Sequence, residues 1–169
     1  ELTPDLADIG GPRRADQAFA LHVWAAHMPP GLFTSRPGTV MSTSGTLDVT
    51  IRGKGGHAAM PHTTIDPVVI GAHMVTAFQT IVSRSTDPLA ALVISVTCFN
   101  AGDAHNVIPQ SAHLRGTIRT LDRAMRIEAE RRLRHVAIAT AETFGATALV
   151  EVTPGYPVTH NHPAETVFA

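Results

Sequence analysis

The ten residues from Gly53 to His62 are the part of this sequence whose residue types and spacing best suit chemistry. They read Gly-Lys-Gly-Gly-His-Ala-Ala-Met-Pro-His and follow an alternating, strand-like run. Glycine tolerates positive φ and lets a ligand or a second backbone come close, so the glycines predict a bend on which His57 stays accessible. An accessible imidazole can exchange or donate a proton near neutral pH. The alternative interpretation is a glycine-rich turn with a surface histidine.

Two polar residues further along the chain are candidates for substrate contacts. Asn106, in His-Asn-Val-Ile-Pro between two predicted strands, could hold a substrate oxygen, although an amide in such a place more commonly caps a turn. Arg119 lies on a predicted strand, and its guanidinium fork suits a carboxylate. A surface arginine on a sheet needs no function, so both interpretations of Arg119 stay open.

His22 is a candidate metal ligand. It lies in the apolar run 18–24, Ala-Phe-Ala-Leu-His-Val-Trp, which is typical of a buried strand. A lone histidine in such a strand is more commonly a hydrogen-bonded core residue, but ligands of open α/β sheets bind beyond the carboxyl ends of strands. The ten histidines include no i,i+4 pair and the chain has no Cys-x-x-Cys, so any metal site needs distant segments.

The elements that must position these residues follow from hydrophobic periodicity between residues 46 and 153. Strands are predicted at 46–52, 91–99, 112–121 and 147–152, with a helix after Asp66-Pro67 and another after Asp122. The first helix should bury one face, namely Val68, Ala72, Val75, Phe78 and Val82.

The resulting order is β-α-β-β-α-β. Because βαβ crossovers are right-handed, this order predicts an α+β, ferredoxin-like fold with both helices on one face of an antiparallel sheet. An edge strand of such a sheet can pair with a second copy of the chain. Residues 1–45 and 154–169 fall outside this unit, and we interpret them as parts of a second domain.

Composition excludes several classes of partner. The 13 basic and 14 acidic residues give no electrostatic footprint for nucleic acid or for an anionic membrane. No apolar run approaches the roughly 20 residues of a membrane span, and residues 1–11 resemble neither a signal peptide nor an anchor. Cys98 is the only cysteine, in an apolar strand that predicts a buried, inert thiol. A reducing compartment, and hence a cytoplasmic location, is the expectation.

Four motifs in order resemble those of one enzyme family. They are Ala-Leu-His-Val-Trp at 20–24, the Gly53 to His62 segment, His-Asn-Val-Ile-Pro at 105–109 and Arg-Gly-Thr-Ile-Arg at 115–119. Together they resemble the co-catalytic metal-dependent amidohydrolases, which include hippurate hydrolase, bacterial N-acyl-amino-acid amidohydrolases and plant auxin-conjugate hydrolases. The resemblance implies that 46–153 is a lid or dimerisation domain. It further implies that 1–45 and 154–169 are pieces of an α/β metallopeptidase-like catalytic domain.

The resemblance also implies a role for each candidate. His22 matches a metal-ligand histidine, and His57 matches a lid histidine that polarises the scissile carbonyl and stabilises the oxyanion, in dimeric relatives at the partner's active site. Asn106 and Arg119 match lid positions that face the substrate, including its α-carboxylate. His62 is expected to structure the loop. The implied cofactors are two divalent ions per active site, zinc, manganese or cobalt, and the implied partners are an N-acyl amino acid and a second subunit.

Several residues of the family pattern have no counterpart in this sequence. The Cys-x-His-Asp segment, the adjacent glutamate pair with its general base, and the final histidine ligand are absent. We therefore expect an internal fragment of an amidohydrolase for N-acyl amino acids, inactive on its own. The alternatives are a stand-alone ferredoxin-like dimerisation or binding module without catalysis, and a histidine-rich metal-binding protein.

Overall fold

A computed structural model describes residues 17–23 and 28–169 of the chain. The described residues divide into two compact units, one within Ser42–Val158 and one formed by the described parts of Glu1–Met41 and Thr159–Ala169. Within the described residues, no helix combines the length and the apolar character that crossing a bilayer requires. In chain order the elements are β1 (Gly38–Met41), β2 (Gly45–Arg52), β3 (Gly56–His57), α1 (Pro67–Ser85), β4 (Leu92–Ala101), β5 (Val107–Ile108), β6 (Ser111–Thr120), α2 (Arg123–Thr143), β7 (Thr147–Pro154), β8 (Thr159–Asn161) and α3 (Pro163–Phe168).

The larger unit, Ser42–Val158, is built on a four-stranded antiparallel sheet. Its strand order is β4-β6-β2-β7, so the two strands that precede the helices lie side by side in the middle. Each strand pairs antiparallel with its neighbour. This order and this pairing confirm the predicted ferredoxin-like arrangement.

The core of this unit lies between the sheet and its two helices. Alternate side chains of β2 are fully buried, whereas their neighbours Thr46 and Arg52 are exposed. One hydrophobic cluster joins β2, β4, β6 and β7 to α1 and α2, which places both helices on the same sheet face. Its most deeply buried members are Leu47, Val49, Ile51, Met74, Phe78, Leu114, Leu133, Ala137 and Ala141.

Both long helices begin at the predicted caps. The Asp66 carboxylate accepts the Val68 backbone N–H at 2.8 Å, and the Asp122 carboxylate accepts that of Met125 at 2.7 Å. Such caps satisfy backbone donors that the first helical turn leaves unpaired.

The predicted buried face of α1 was partly wrong. Phe78 is buried and Val75 and Val82 pack partly against the core, but Val68 and Ala72 are exposed. The stripe that does face the sheet is Pro67, Ile70, Gly71, Met74, Phe78 and Ile81. Helix α1 carries two apolar stripes at helical spacing. Sequence periodicity alone did not show that the stripe containing Gly71, over which the Phe99 ring lies, is the one that packs.

The prediction of a buried thiol at Cys98 was wrong, because the residue is exposed. Strand β4 is an edge strand, and its register against β6 shifts between Val96 and Cys98. A bulge inserts one residue and so moves the following side chains to the opposite face. Leu92 and Ile94 therefore point into the core before the bulge, whereas Cys98 after it does not.

In the smaller unit, β1 pairs antiparallel with β8, and α3 begins at Pro163. The predicted buried strand at 18–24 was wrong for the residues described, because 17–23 are exposed and adopt no regular structure. A strand needs a neighbour for its backbone hydrogen bonds, and no described residue pairs with this segment. Trp24, the last residue of the predicted strand, lies outside the described residues.

Candidate functional site

The segment Gly53–Met60, here called the histidine loop, leaves the sheet where β2 ends. Gly53 donates its N–H to the Gln110 carbonyl at 3.0 Å, and Lys54 exchanges two backbone hydrogen bonds with Ile65. Strand β3 then pairs antiparallel with β5, with His57 opposite Val107. Backbone hydrogen bonds therefore hold the loop on both sides, and they fix the position of the His57 backbone.

Close approach, and not positive φ, explains the glycines of this loop. The described glycines with positive φ are Gly31, Gly38, Gly102 and Gly145, so the glycines of this loop do not use the positive φ that the sequence allows them. A Cβ on Gly55 would lie 2.7 Å from the Ile108 carbonyl oxygen and 3.1 Å from the Gln110 nitrogen. Contacts this short are not tolerated between a side chain and backbone, so only glycine fits without a shift.

The two ring nitrogens of His57 have different roles, because Nδ1 accepts a hydrogen bond within the loop and Nε2 is left as a donor. Its side chain is exposed, and its Nδ1 lies 3.1 Å from the Ala59 backbone N–H. A backbone N–H can only donate, so Nδ1 accepts, and the proton of the neutral ring lies on Nε2. The loop thus orients an N–H donor outward from the protein, as an oxyanion-stabilising group requires.

Asn106 is adjacent to His57 through the backbone. Its carbonyl oxygen accepts the Ala58 N–H at 3.0 Å, which continues the β3–β5 ladder by one residue. Its side chain is exposed and makes no hydrogen bond with another described residue. The structure therefore brings Asn106 and His57 together at one end of the sheet.

Arg119 lies at the opposite end of the sheet. Strand β6 begins at Ser111, opposite Arg52, and Arg119 is eight residues further along. At about 3.4 Å per residue, this places the Arg119 backbone roughly 27 Å from the end that carries the histidine loop. The structure does not bring Arg119 together with His57 and Asn106 within one chain.

The Arg119 guanidinium is half-buried and partly occupied. One terminal nitrogen donates to the Ile118 carbonyl at 3.0 Å, to the Gly45 carbonyl at 3.5 Å and to the Thr117 hydroxyl. Its other two nitrogens make no hydrogen bond with the residues that the structure describes. Two parallel N–H donors can bind a carboxylate bidentately.

His22 is exposed in the irregular segment 17–23, and its Nδ1 lies 2.8 Å from the Val23 carbonyl oxygen. A carbonyl only accepts, so Nδ1 carries the proton, the tautomer that metal-binding histidines with a backbone partner adopt. Among residues 17–23 and 28–169, no three His, Cys, Asp or Glu side chains converge to hold a metal ion. The described residues therefore do not form the metal centre that the resemblance implies.

The predicted loop-structuring role of His62 is not supported by contacts. The turn Pro61–Thr63 is closed by the Thr63 and Thr64 hydroxyls, which donate to the Met60 and Pro61 carbonyls at 2.8 Å. The His62 side chain is exposed and forms no hydrogen bond in the described part of the chain.

Sequence reasoning missed Gln110. Its side-chain amide bonds to both Gly53 and Gly55, which no local pattern in the loop announces. A signal was nevertheless present, because Pro109 cannot donate to a strand partner and an amide side chain follows it directly.

Comparison with protein families gives a match over most of the larger unit. The family model described as the M20 "Peptidase dimerisation domain" matches residues 41–143. The match includes the histidine loop, Asn106 and Arg119.

Comparison with individual proteins gives longer matches. Thermostable carboxypeptidase 2 of Saccharolobus solfataricus is 35% identical over 162 residues, which cover 95% of this chain and 41% of that protein. The N-acyl-L-amino acid amidohydrolase of Geobacillus stearothermophilus is 40% identical over 83% of this chain and 38% of its own length. The chain thus spans about two fifths of the length of these relatives.

Among solved structures, the chain is similar to the YXEP protein of Bacillus subtilis. That protein is described as a dinuclear metal binding peptidase from the M20 family, and it superposes with a TM-score of 0.61 at 26% identity. The superposition covers 79% of this chain and 32% of the YXEP chain.

Proposed function

Because this chain belongs to the M20 peptidase dimerisation domain family, we propose that it is part of a metal-dependent amidohydrolase that cleaves the amide bond of N-acyl amino acids, hippurate-like conjugates among them. The family match confirms the resemblance seen in the sequence motifs. In this proposal residues 46–153 form the lid and dimerisation domain, and 1–45 and 154–169 belong to the catalytic domain. The whole protein is proposed to act in the cytoplasm.

The observation that carries the proposal is the outward Nε2–H of His57. Amide hydrolysis places negative charge on the carbonyl oxygen in the transition state, and a preorganised donor lowers that barrier. The hydrogen bond from Ala59 to Nδ1 fixes the ring as such a donor before substrate arrives. Asn106, next to it on the ladder, is proposed to hold the substrate as well.

Arg119 is proposed to bind the α-carboxylate of the substrate through its two remaining donors. The substrate is much shorter than the roughly 27 Å between the two ends of the sheet, at about 3.4 Å per residue. His57 and Arg119 of one subunit therefore cannot contact the same substrate molecule. A homodimer can, if each site takes His57 and Asn106 from one subunit and Arg119 from the other.

His22 is proposed as one ligand of a metal centre that holds two divalent ions, zinc, manganese or cobalt. Its Nδ1–H donates to the Val23 carbonyl, which supports ligation through Nε2. Since the described residues provide no further convergent ligands, we expect the isolated chain to be inactive.

The test is replacement of His57 by alanine in the whole enzyme. We expect kcat for N-acetyl amino acids and hippurate to fall about 10²- to 10³-fold, as on loss of one oxyanion donor, with bound metal unchanged. His62→Ala is the matched control, because it removes an exposed imidazole from the neighbouring turn. His22→Ala should instead lower metal occupancy.

Two results would contradict the proposal. Unchanged kcat in His57→Ala would favour a dimerisation module without a catalytic role. Equal loss of metal in His57→Ala and His22→Ala would show that the roles of the two histidines are assigned wrongly.

A further inference from the structure

Gln110 occupies the place where two β-ladders fail to meet in register. The β2–β6 ladder ends with Arg52 opposite Ser111, and the β3–β5 ladder begins with Gly56 opposite Ile108. Three residues on one strand therefore face only two on the other, as in a β-bulge. One of those two is Pro109, which has no N–H to donate. Backbone alone cannot complete the hydrogen bonds of the histidine loop here.

The side chain of Gln110 supplies the missing partners. Its Oε1 accepts the Gly55 N–H at 3.1 Å, and its Nε2 donates to the Gly53 carbonyl at 3.3 Å. Its own carbonyl accepts the Gly53 N–H at 3.0 Å. One residue thus satisfies three backbone groups of the loop, and its amide takes the place of a strand.

The hydrogen bonds of Gln110 to Gly53 and Gly55, here called the Gln110 clamp, lie just before His57 in the chain. Gly53 and Gly55 connect the rigid strand β2 to β3, which carries the imidazole. The opposite side of the connection is fixed by Lys54 and Ile65. The direction in which the His57 ring leaves the sheet therefore depends on the Gln110 amide, although no hydrogen bond joins the two side chains.

We propose that Gln110 is a positioning residue for His57, acting through the backbone of Gly53 and Gly55. The inference rests on the proposed role of His57. A purely structural role would appear in global stability, but Gln110 is exposed and lies outside the core cluster. Positioning instead appears in kcat, because a donor misplaced by about 1 Å can cost up to 10²-fold in rate.

The experiment compares Gln110→Ala and Gln110→Glu in the whole enzyme. In Gln110→Ala we expect kcat to fall about 10-fold with KM nearly unchanged, and exchange of the Gly55 amide hydrogen to become faster. Gln110→Glu keeps an acceptor for Gly55 but loses the donor to Gly53, so its kcat should lie between those of Gln110→Ala and wild type. Gln79→Ala is the control, because the Gln79 amide also bonds to backbone, within α1, far from the loop.

A double mutant decides whether the effect runs through His57. In a His57→Ala background, Gln110→Ala should lower kcat no further. A second full loss in that background, or unchanged kcat in Gln110→Ala alone, would overturn the positioning role. If His57→Ala itself leaves kcat unchanged, the proposed function fails. Hydrogen exchange of the Gly55 amide then still tests whether Gln110 holds the loop. Faster exchange in Gln110→Ala supports that role, and unchanged exchange overturns it.

Discussion

The two ends of the four-stranded sheet hold their candidate residues in different ways. At the histidine end, backbone contacts surround Gly53 and Gly55 and leave the His57 ring as an outward donor. At the arginine end, the Arg119 side chain is held by hydrogen bonds to its own strand and to the Gly45 carbonyl. The first end suits a group that must meet a transition state in one orientation. The second suits a group that attracts a charged substrate and tolerates some freedom.

The sharpest test of this comparison uses mixed dimers. A dimer of one His57→Ala subunit and one Arg119→Ala subunit, purified with two different tags, should regain one intact site and about half of the wild-type rate. Each homodimeric mutant has two damaged sites and should be nearly inactive at low substrate concentration. The recovery is therefore the largest effect we expect.

The control for this test comes from the same end of the sheet. His57 and Asn106 are joined through Ala58, so both should serve one site, and a mixed dimer of His57→Ala and Asn106→Ala subunits should not recover. Recovery in this control would show that His57 and Asn106 act at different sites. No recovery with Arg119→Ala would show that the two ends do not serve a site shared between subunits.

Replacing Arg119 tests the arginine end alone. Since a hydrogen bond to a charged group is worth about 1.5–3 kcal/mol, Arg119→Ala should raise KM for free N-acyl amino acids roughly 10- to 100-fold. KM for the corresponding methyl esters should change little, because they lack the carboxylate. Steady-state kinetics on each acid and its ester measures this difference.

Arg115→Ala is the matched control for Arg119. Arg115 lies on the same sheet face, but its guanidinium bonds to Asp48 at 2.9 Å. An unchanged preference for acids over esters in Arg119→Ala would remove Arg119 from the substrate site.

Glycine substitutions probe the backbone at both ends. Gly55→Ala would place a Cβ 2.7 Å from a carbonyl oxygen, so the loop must shift, and kcat should fall about 10-fold. Gly45→Ala, at the arginine end, meets its nearest atoms at 3.7 Å and should leave kcat unchanged. Equal kcat in the two variants would show that the close backbone approach at Gly55 does not contribute to kcat. Thermal unfolding checks that both variants remain folded.

The sequence predicted those parts of the fold that depend on local pattern. Alternation in β2 and β6, the aspartate caps and the glycine spacing before His57 are all properties of neighbouring residues. The bulge that exposes Cys98 depends on how β4 pairs with β6, and the choice between two apolar stripes on α1 depends on the sheet beneath it. Neither is written in a single segment of the sequence.

The same limit applies to the candidate site. His57, Asn106 and Arg119 were all named from motifs, but their arrangement into two separate ends follows only from strand register. The role of Gln110 depends on a mismatch between two ladders, which no single strand reveals. Short motifs therefore named candidate residues, and only topology showed which of them lie together.

The smallest effect is expected on α2, where neither end of the sheet is involved. Hydrogen bonds from Arg131 and then Arg132 lower the pKa of Glu128 from an ordinary 4.5 to about 2. A carboxylate with a lowered pKa stabilises the fold above its unfolded value, and this contribution is lost as pH falls toward the folded value. Glu128→Gln should therefore lower the melting temperature slightly at pH 7, by an amount that shrinks as pH falls from about 4.5 toward 2.

The control for Glu128 is Glu142→Gln, which removes an exposed carboxylate of α2 that forms no ion pair with the described residues. The Glu128 side chain is partly exposed, and water screens its pairs with the two arginines, which is why the expected change is small. Glu128, Arg131 and Arg132 form no hydrogen bond or ion pair with the histidine loop or with Arg119. The kcat and KM of Glu128→Gln should therefore equal those of the wild type. A change in either constant would mean that α2 is coupled to one end of the sheet. Activity at that end would then depend on the helix as well as on the strands.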